Sequence, residues 1–159
     1  MIGSGKPANV TKLLKGAGTL KKNLKTLMPT LFTRILSGEL PGRFVYRDDR
    51  CAAFLTIAPM KPGHTLVVPI QEVDHWLDLE PDLAAHLMQV AQKVGAAQMK
   101  VFKPLRVGLM IAGLEVPHTH LHVVPMDEVT DLDFANADAQ AAAADLDRAA
   151  EALKAALQS

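Results

Sequence analysis

A single cysteine, Cys51, occurs in a chain of 159 residues. An internal disulfide is therefore excluded, and so is a zinc site built on a Cys-x-x-Cys pair. Such sparing use of cysteine fits a reducing compartment, and a cytoplasmic location is expected. No run of about 18 apolar residues occurs, so no transmembrane segment is expected. The longest apolar stretch, Val107 to Leu114, is strand-sized and contains two glycines. Internal repeats are also missing. Acidic residues are missing from residues 1–29, which carry six lysines. The formal net charge is zero, so 11 basic residues face 17 acidic ones over the rest of the chain. An acidic main domain lacks the basic footprint that nucleic acids require, and no nucleic-acid partner is expected.

What is present suits one globular domain. Hydrophobic residues make up 49% of the chain, enough for a sizeable core. Residues 1–27 read as a basic, flexible N-terminal extension, rich in Gly, Ser and Pro over Met1–Ala8. Leucines alternate with lysines from Val10 to Leu27, a weak basic amphipathic helix interrupted by Gly16 and Gly18. It would suit an anionic surface, although a solvated tail is the simpler reading. Residues 28–159 form the domain proper.

Within the domain, Leu31 to Leu36 reads as a short helix closed by Ser37-Gly38 and Pro41. Arg43 to Tyr46 and Cys51 to Ile57 read as a hairpin turning at Asp48-Asp49. A loop at Pro59 and Pro62-Gly63 precedes a strand from His64 to Val68. A long helix is predicted from Pro81 to about Phe102, since proline suits the first helical position. Its buried face would hold Leu83, Leu87, Val90, Ala91, Val94 and Ala97, which recur at helical spacing. A strand from Arg106 to Ala112, a histidine-bearing strand and a C-terminal helix from Asn136 onward complete the order. Strands do not alternate regularly with helices, which favours an α+β fold with an antiparallel or mixed sheet.

Three of the six histidines, His118, His120 and His122, fall two residues apart. On a strand they would line one face, about 6.5–7 Å between successive positions. Packing does not call for three imidazoles in a row, because each has ring nitrogens that need partners. One reading is metal binding, but three positions spread along a strand cannot all reach one zinc at about 2 Å. A second is nucleophilic catalysis at phosphorus, in which one imidazole attacks and its neighbours bind the phosphate oxygens. A third is satisfied structural histidines. Of the remaining groups, His75 reads as a surface or helix-start residue, His86 as packed or solvated, and Cys51 as a small buried hydrophobe.

The stretch Gly113-Leu114-Glu115-Val116-Pro117-His118-Thr119-His120-Leu121-His122-Val123-Val124-Pro125 resembles the signature of the histidine triad (HIT) family. The resemblance extends to Thr30–Pro41, which looks like the family's opening helix, and to Tyr46–Phe54, its first hairpin. It also takes in Pro59–Pro69, its next loop and strand. The nucleoside phosphoramidase-like branch is the nearest in kind. What this implies is a HIT-like antiparallel sheet of about five strands, with a short N-terminal helix, one long helix and a C-terminal helix.

The resemblance implies a homodimer acting on a small-molecule nucleotide. A P–N or P–O bond at the α-phosphate of a nucleoside monophosphate derivative would be cleaved through a nucleotidyl-histidine at His120. His122 would bind the phosphate, and His118 and His64 would support the hydrogen-bond network. Leu31, Phe32, Ile35, Phe54 and Ile57 match the family's base pocket. Thr56 falls where an acidic ribose partner is usual, and Leu114 where a glutamine precedes the triad, followed by Glu115. An asparagine of the preceding strand aligns with Val107-Gly108. The Cys-x-x-Cys opening of some bacterial members is here Thr30-Leu31-Phe32-Thr33, so their structural zinc site is expected to be missing. No cofactor and no metal are required by this route. Two alternatives stay open, a dinucleoside polyphosphate hydrolase and a nucleotide-binding regulatory protein with weak catalysis; a metal-binding module comes last.

Overall fold

Two strands in the middle of the domain are buried along their whole length, and the fold is built outward from them. A computed structural model describes residues 28–159, and the predicted N-terminal extension lies outside them. Five strands form one sheet: β1 (Arg43–Arg47), β2 (Cys51–Leu55), β3 (Thr65–Pro69), β4 (Arg106–Met110) and β5 (Leu121–Met126). Their order is β1-β2-β3-β5-β4, and every neighbouring pair is antiparallel. All residues of β2 and β3 are buried. Both strands are covered on two faces, which is why they read as continuous apolar runs rather than as alternating patterns.

Helix α1 (Leu31–Leu36) covers one face together with Phe32, Leu36, Phe54, Leu66 and Val68. The other face packs against the long helix α2 (Pro81–Phe102) and the C-terminal helix α3 (Ala143–Gln158). The six residues predicted for the buried side of α2 are all buried, with Leu87, Val90 and Val94 fully so. Each such side chain contributes about 1.5–3 kcal/mol through burial. The helix ends at Lys103, whose φ of 51° is left-handed, immediately before Pro104.

The β1–β2 turn is held by one carboxylate. Asp48 Oδ1 accepts from the backbone N–H groups of Arg50 at 2.9 Å and Cys51 at 2.8 Å. Its Oδ2 accepts from the Tyr46 hydroxyl and from His86 Nε2, both at 2.8 Å. His86 therefore ties the hairpin to α2, a more specific task than packing or solvation. Partial burial alone would raise the Asp48 carboxyl, but these hydrogen bonds hold it well below the usual carboxylate range. Burial pushes the neighbouring Cys51 thiol up to about 12, so it stays protonated and acts as a small apolar group.

The ends of β1 to β4 lie within about two residues of the sequence reading, with His64 falling just before β3 rather than in it; two larger differences bear on the site. The C-terminal helix starts at Ala143 rather than near Asn136. Residues 129–132 and 134–136 form short 3-10 turns instead, because Asp131 and Asp133 side chains take up the local backbone N–H groups. The histidine strand starts at Leu121, so of the three triad histidines only His122 belongs to the sheet.

Candidate active site

His118 and His120 sit just before β5 because the backbone there has other partners. The N–H of Thr119 donates to the Val73 carbonyl at 2.7 Å, and β3 pairs with β5 only from Val67 opposite Leu121 onward. The every-second-residue spacing still brings the His120 and His122 rings together, while the His118 ring lies 6.1 Å from that of Phe32. The His120 and His122 centroids lie 4.7 Å apart, and Phe32 stands edge-on to His120 at 4.8 Å. His64, at the entry to β3, joins them through a 2.9 Å contact from its Nε2 to His122 Nδ1.

The ring tautomers follow from the fixed polarity of the backbone groups that the rings touch. His64 Nδ1 accepts from the Met60 N–H at 3.2 Å, so its proton is on Nε2 and is donated to His122 Nδ1. His122 then carries its own proton on Nε2. His118 Nε2 meets the Pro69 carbonyl at 2.9 Å and must donate, which leaves Nδ1 to accept from the Thr30 hydroxyl at 2.9 Å. His120 Nδ1 donates to the His118 carbonyl at 2.8 Å, so the lone pair of His120 is on Nε2. Neither His120 Nε2 nor His122 Nε2 has a partner among the described residues, and neither is sealed from solvent.

Burial drives all four imidazoles toward the neutral form. It pushes His64 down to about 4, helped by the nearby His120. It pushes His122 down to about 3, helped by His120 and His64. His118 and His120 are also lowered by burial, against the opposing pull of carbonyl contacts. Near neutral pH the site thus offers one ring nitrogen as a lone pair and an adjacent one as an N–H donor. That pairing suits attack on an electrophile that carries anionic oxygens.

His120 and His122 both line a cavity of about 600 Å³. The cavity brings together most of the residues expected to bind a nucleotide, with Leu31, Phe32, Ile35, Phe54, Thr56, Ile57 and Glu115 lining it. Phe32 and Phe54 are buried core residues as well, while Leu31 and Ile57 present exposed surface. Thr56 uses its hydroxyl to accept from the Ala58 N–H at 3.3 Å. Leu114 is 95% exposed and is not part of the wall.

Some contributors escaped the sequence reading. Phe134, from the turn after β5, stands edge-on to His122 at 5.1 Å and closes the cavity on that side. Its signal was the flanking pair Asp133 and Asn136, which mark a capped turn rather than helix. Gln98 is fully buried on α2 and donates to the carbonyls of Gly63 and Val123, both at 2.9 Å. It thereby ties the segments carrying His64 and His122 to the long helix. Gly63 has φ of +88°, and a Cβ there would stand 2.2 Å from the Phe102 ring, so only glycine suits the turn before His64.

Known proteins resemble this chain in sequence and in fold. The sequence pattern of the HIT domain matches residues 37–129. An uncharacterized HIT-like protein of Borreliella burgdorferi is 35% identical over 102 residues, covering 60% of this chain and 73% of the relative. A zinc-bound histidine triad family protein from Mycobacterium smegmatis superposes with a TM-score of 0.70 at 28% identity, over 80% of this chain and 92% of that one. A hypothetical histidine triad nucleotide-binding protein from Sulfolobus tokodaii gives a TM-score of 0.71 at 25% identity, over 80% and 91% of the two chains.

Proposed function

The chain belongs to the HIT family, and from that premise we propose that it is a nucleotide hydrolase or transferase working through His120. The substrate is a nucleoside monophosphate derivative with an amine or phosphate leaving group on the α-phosphorus. The carrying observation is the pair of free ring nitrogens, a lone pair on His120 and an N–H on His122, at the wall of one cavity. His120 Nε2 forms a bond to phosphorus as the bond to the leaving group breaks, an amine departing with a proton taken from solvent. The cationic ring that results keeps its Nδ1 proton, held by the His118 carbonyl. His122 Nε2–H binds a phosphate oxygen, and His64 keeps His122 in the donating tautomer. Water then attacks phosphorus, the P–N bond to His120 breaks, and a water proton leaves to solvent. Transfer to another acceptor follows the same course.

Base and ribose occupy the apolar side of the cavity, between Phe32, Phe54 and Ile57 on the walls. Thr56 supplies a neutral hydroxyl toward ribose where a carboxylate would bind more strongly. This favours weak ribose binding and gives the regulatory nucleotide-binding reading its support. An adenosine phosphoramidate separates the readings: release of AMP supports the enzyme, and binding without turnover supports the regulator. The acid limb of kcat/KM reports the free-enzyme base. The attacking form of His120 is neutral and its pKa is lowered, so activity should persist as pH falls through 6.5 and decline only below it. An acid limb at or above 6.5 would contradict a buried neutral nucleophile.

The functional unit is a homodimer joined through α2 and β4. Strand β4 is a sheet edge, and a groove of about 460 Å³ beside it is lined by Met88, Met99, Leu105 and Leu109. All four carry exposed apolar surface. An unpaired edge bordered by such side chains invites pairing with a second copy. Light scattering should give the mass of a dimer, and Leu109→Lys should reduce it to that of a monomer.

A further inference from the structure

The opening segment Thr30-Leu31-Phe32-Thr33 occupies the place where some family members have Cys-x-x-Cys and a structural zinc. The residues gathered there do not suit that metal. Zinc is held by cysteine sulfur, histidine nitrogen or carboxylate oxygen, usually four in number. The cluster supplies only His118 and Glu72 of these types, and His118 Nε2 is committed to the Pro69 carbonyl. The remaining members, Thr30 and Thr33, are neutral hydroxyls already engaged in hydrogen bonds.

Those hydrogen bonds form a closed chain. One oxygen of Glu72, Oε2, accepts from the Thr30 N–H at 3.2 Å and from the Thr33 hydroxyl. Thr30 Oγ1 caps α1 by accepting from the Thr33 N–H at 3.1 Å, and its own proton goes to His118 Nδ1. The His118 carbonyl in turn receives His120 Nδ1–H. The chain links three separate parts of the fold: the start of α1, the loop after β3 and the approach to β5. Phe32, held between the two threonines, is the ring that stands edge-on to His120.

We propose that Glu72 is a positioning residue: with Thr30 and Thr33 it forms a metal-free clasp that sets the orientation of His118 and, through the His118 carbonyl, the tautomer of His120. The clasp does by hydrogen bonding what a structural metal does elsewhere, and its effect on turnover rests on His120 being the nucleophile. Supporting shells of this kind change activity about 10–100-fold when removed.

Three forms of the full chain test it: wild type, Glu72→Ala and Glu72→Gln, each labelled with ¹⁵N-histidine. The wild-type spectrum should show His120 as a single Nδ1–H tautomer. In Glu72→Ala that signal should move to a tautomer average, and kcat for an adenosine phosphoramidate should fall at least about tenfold, with KM changed less. Glutamine keeps one acceptor oxygen, so Glu72→Gln should restore the tautomer and most of kcat. Thr33→Val cuts the same link without touching the carboxylate and replaces Glu72→Ala should that variant not fold. An unchanged His120 tautomer in the cut variants would overturn the clasp, as would equal losses in Glu72→Ala and Glu72→Gln. One equivalent of zinc in the wild type that is lost from Glu72→Ala would overturn it too. The tautomer readout does not depend on turnover, so it fails or succeeds independently of the proposed reaction, whereas loss of the nucleophile reading would show as full activity in His120→Ala.

Discussion

Replacing His120 with alanine should lower the release of AMP from an adenosine phosphoramidate by about 10⁴-fold or more, the scale seen when a covalent nucleophile is deleted. The reason is specific to the geometry. His120 Nε2 is the ring nitrogen at the cavity wall that has a free lone pair, because the partners of His118 and His64 occupy theirs. Among the described residues no neighbouring side chain is placed to take over the attack. A short incubation followed by rapid alkaline denaturation, which spares the acid-labile P–N bond, should trap AMP on the wild-type chain, and peptide mapping should find it on His120. Equal rates for wild type and His120→Ala, or AMP mapped to another residue, would remove the nucleophile from the mechanism. Folding should be little affected, since the hydrogen bond lost among the described residues is the one to the His118 carbonyl.

A His122→Ala variant should lose about 10²–10³-fold in kcat, the scale for removing one preorganised donor to a developing oxyanion. It should retain the covalent intermediate, which is the difference from His120→Ala. His122 is one member of a directional relay in which the Met60 N–H fixes His64 and His64 fixes His122. In the proposed reaction its Nε2–H therefore meets a phosphate oxygen without needing a positive charge, which burial opposes. Pre-steady-state kinetics with a chromogenic or fluorescent leaving group would separate the two variants. His122→Ala should show a slow but complete burst of about one leaving group per site, and His120→Ala none. A His122→Ala enzyme as fast as wild type would show that the donor lies elsewhere.

Much of this arrangement was legible in the order of residues, and the parts that were not have a common cause. The buried face of α2 follows from the recurrence of Leu83, Leu87, Val90, Ala91, Val94 and Ala97. The adjacency of His120 and His122 follows from their period of two, even though only His122 is in the sheet, whereas His118 is fully buried and does not line the cavity. Such patterns are local, because helix and strand geometry turn spacing along the chain into direction in space. The antiparallel five-stranded sheet also agrees with the order of hairpin, loop, strand and helix that the motifs suggested.

What the sequence by itself determined is therefore the family, the kinds of element and the histidines to which the proposed reaction is assigned. Only the tertiary structure decided which ring nitrogen is free. That choice depends on partners far away in the chain: Thr30 meets His118 across 88 residues, His64 meets His122 across 58, and Glu72 meets Thr33 across 39. It depends equally on backbone atoms such as the Pro69 and His118 carbonyls and the Met60 N–H, which every residue type possesses and which no motif records. The tertiary structure also withdrew Leu114 from the cavity wall and brought Phe134 into it, because a capped turn rather than helix follows β5. Side-chain chemistry can be read one residue at a time. A proton's position on an imidazole is set by what folding places on its two sides.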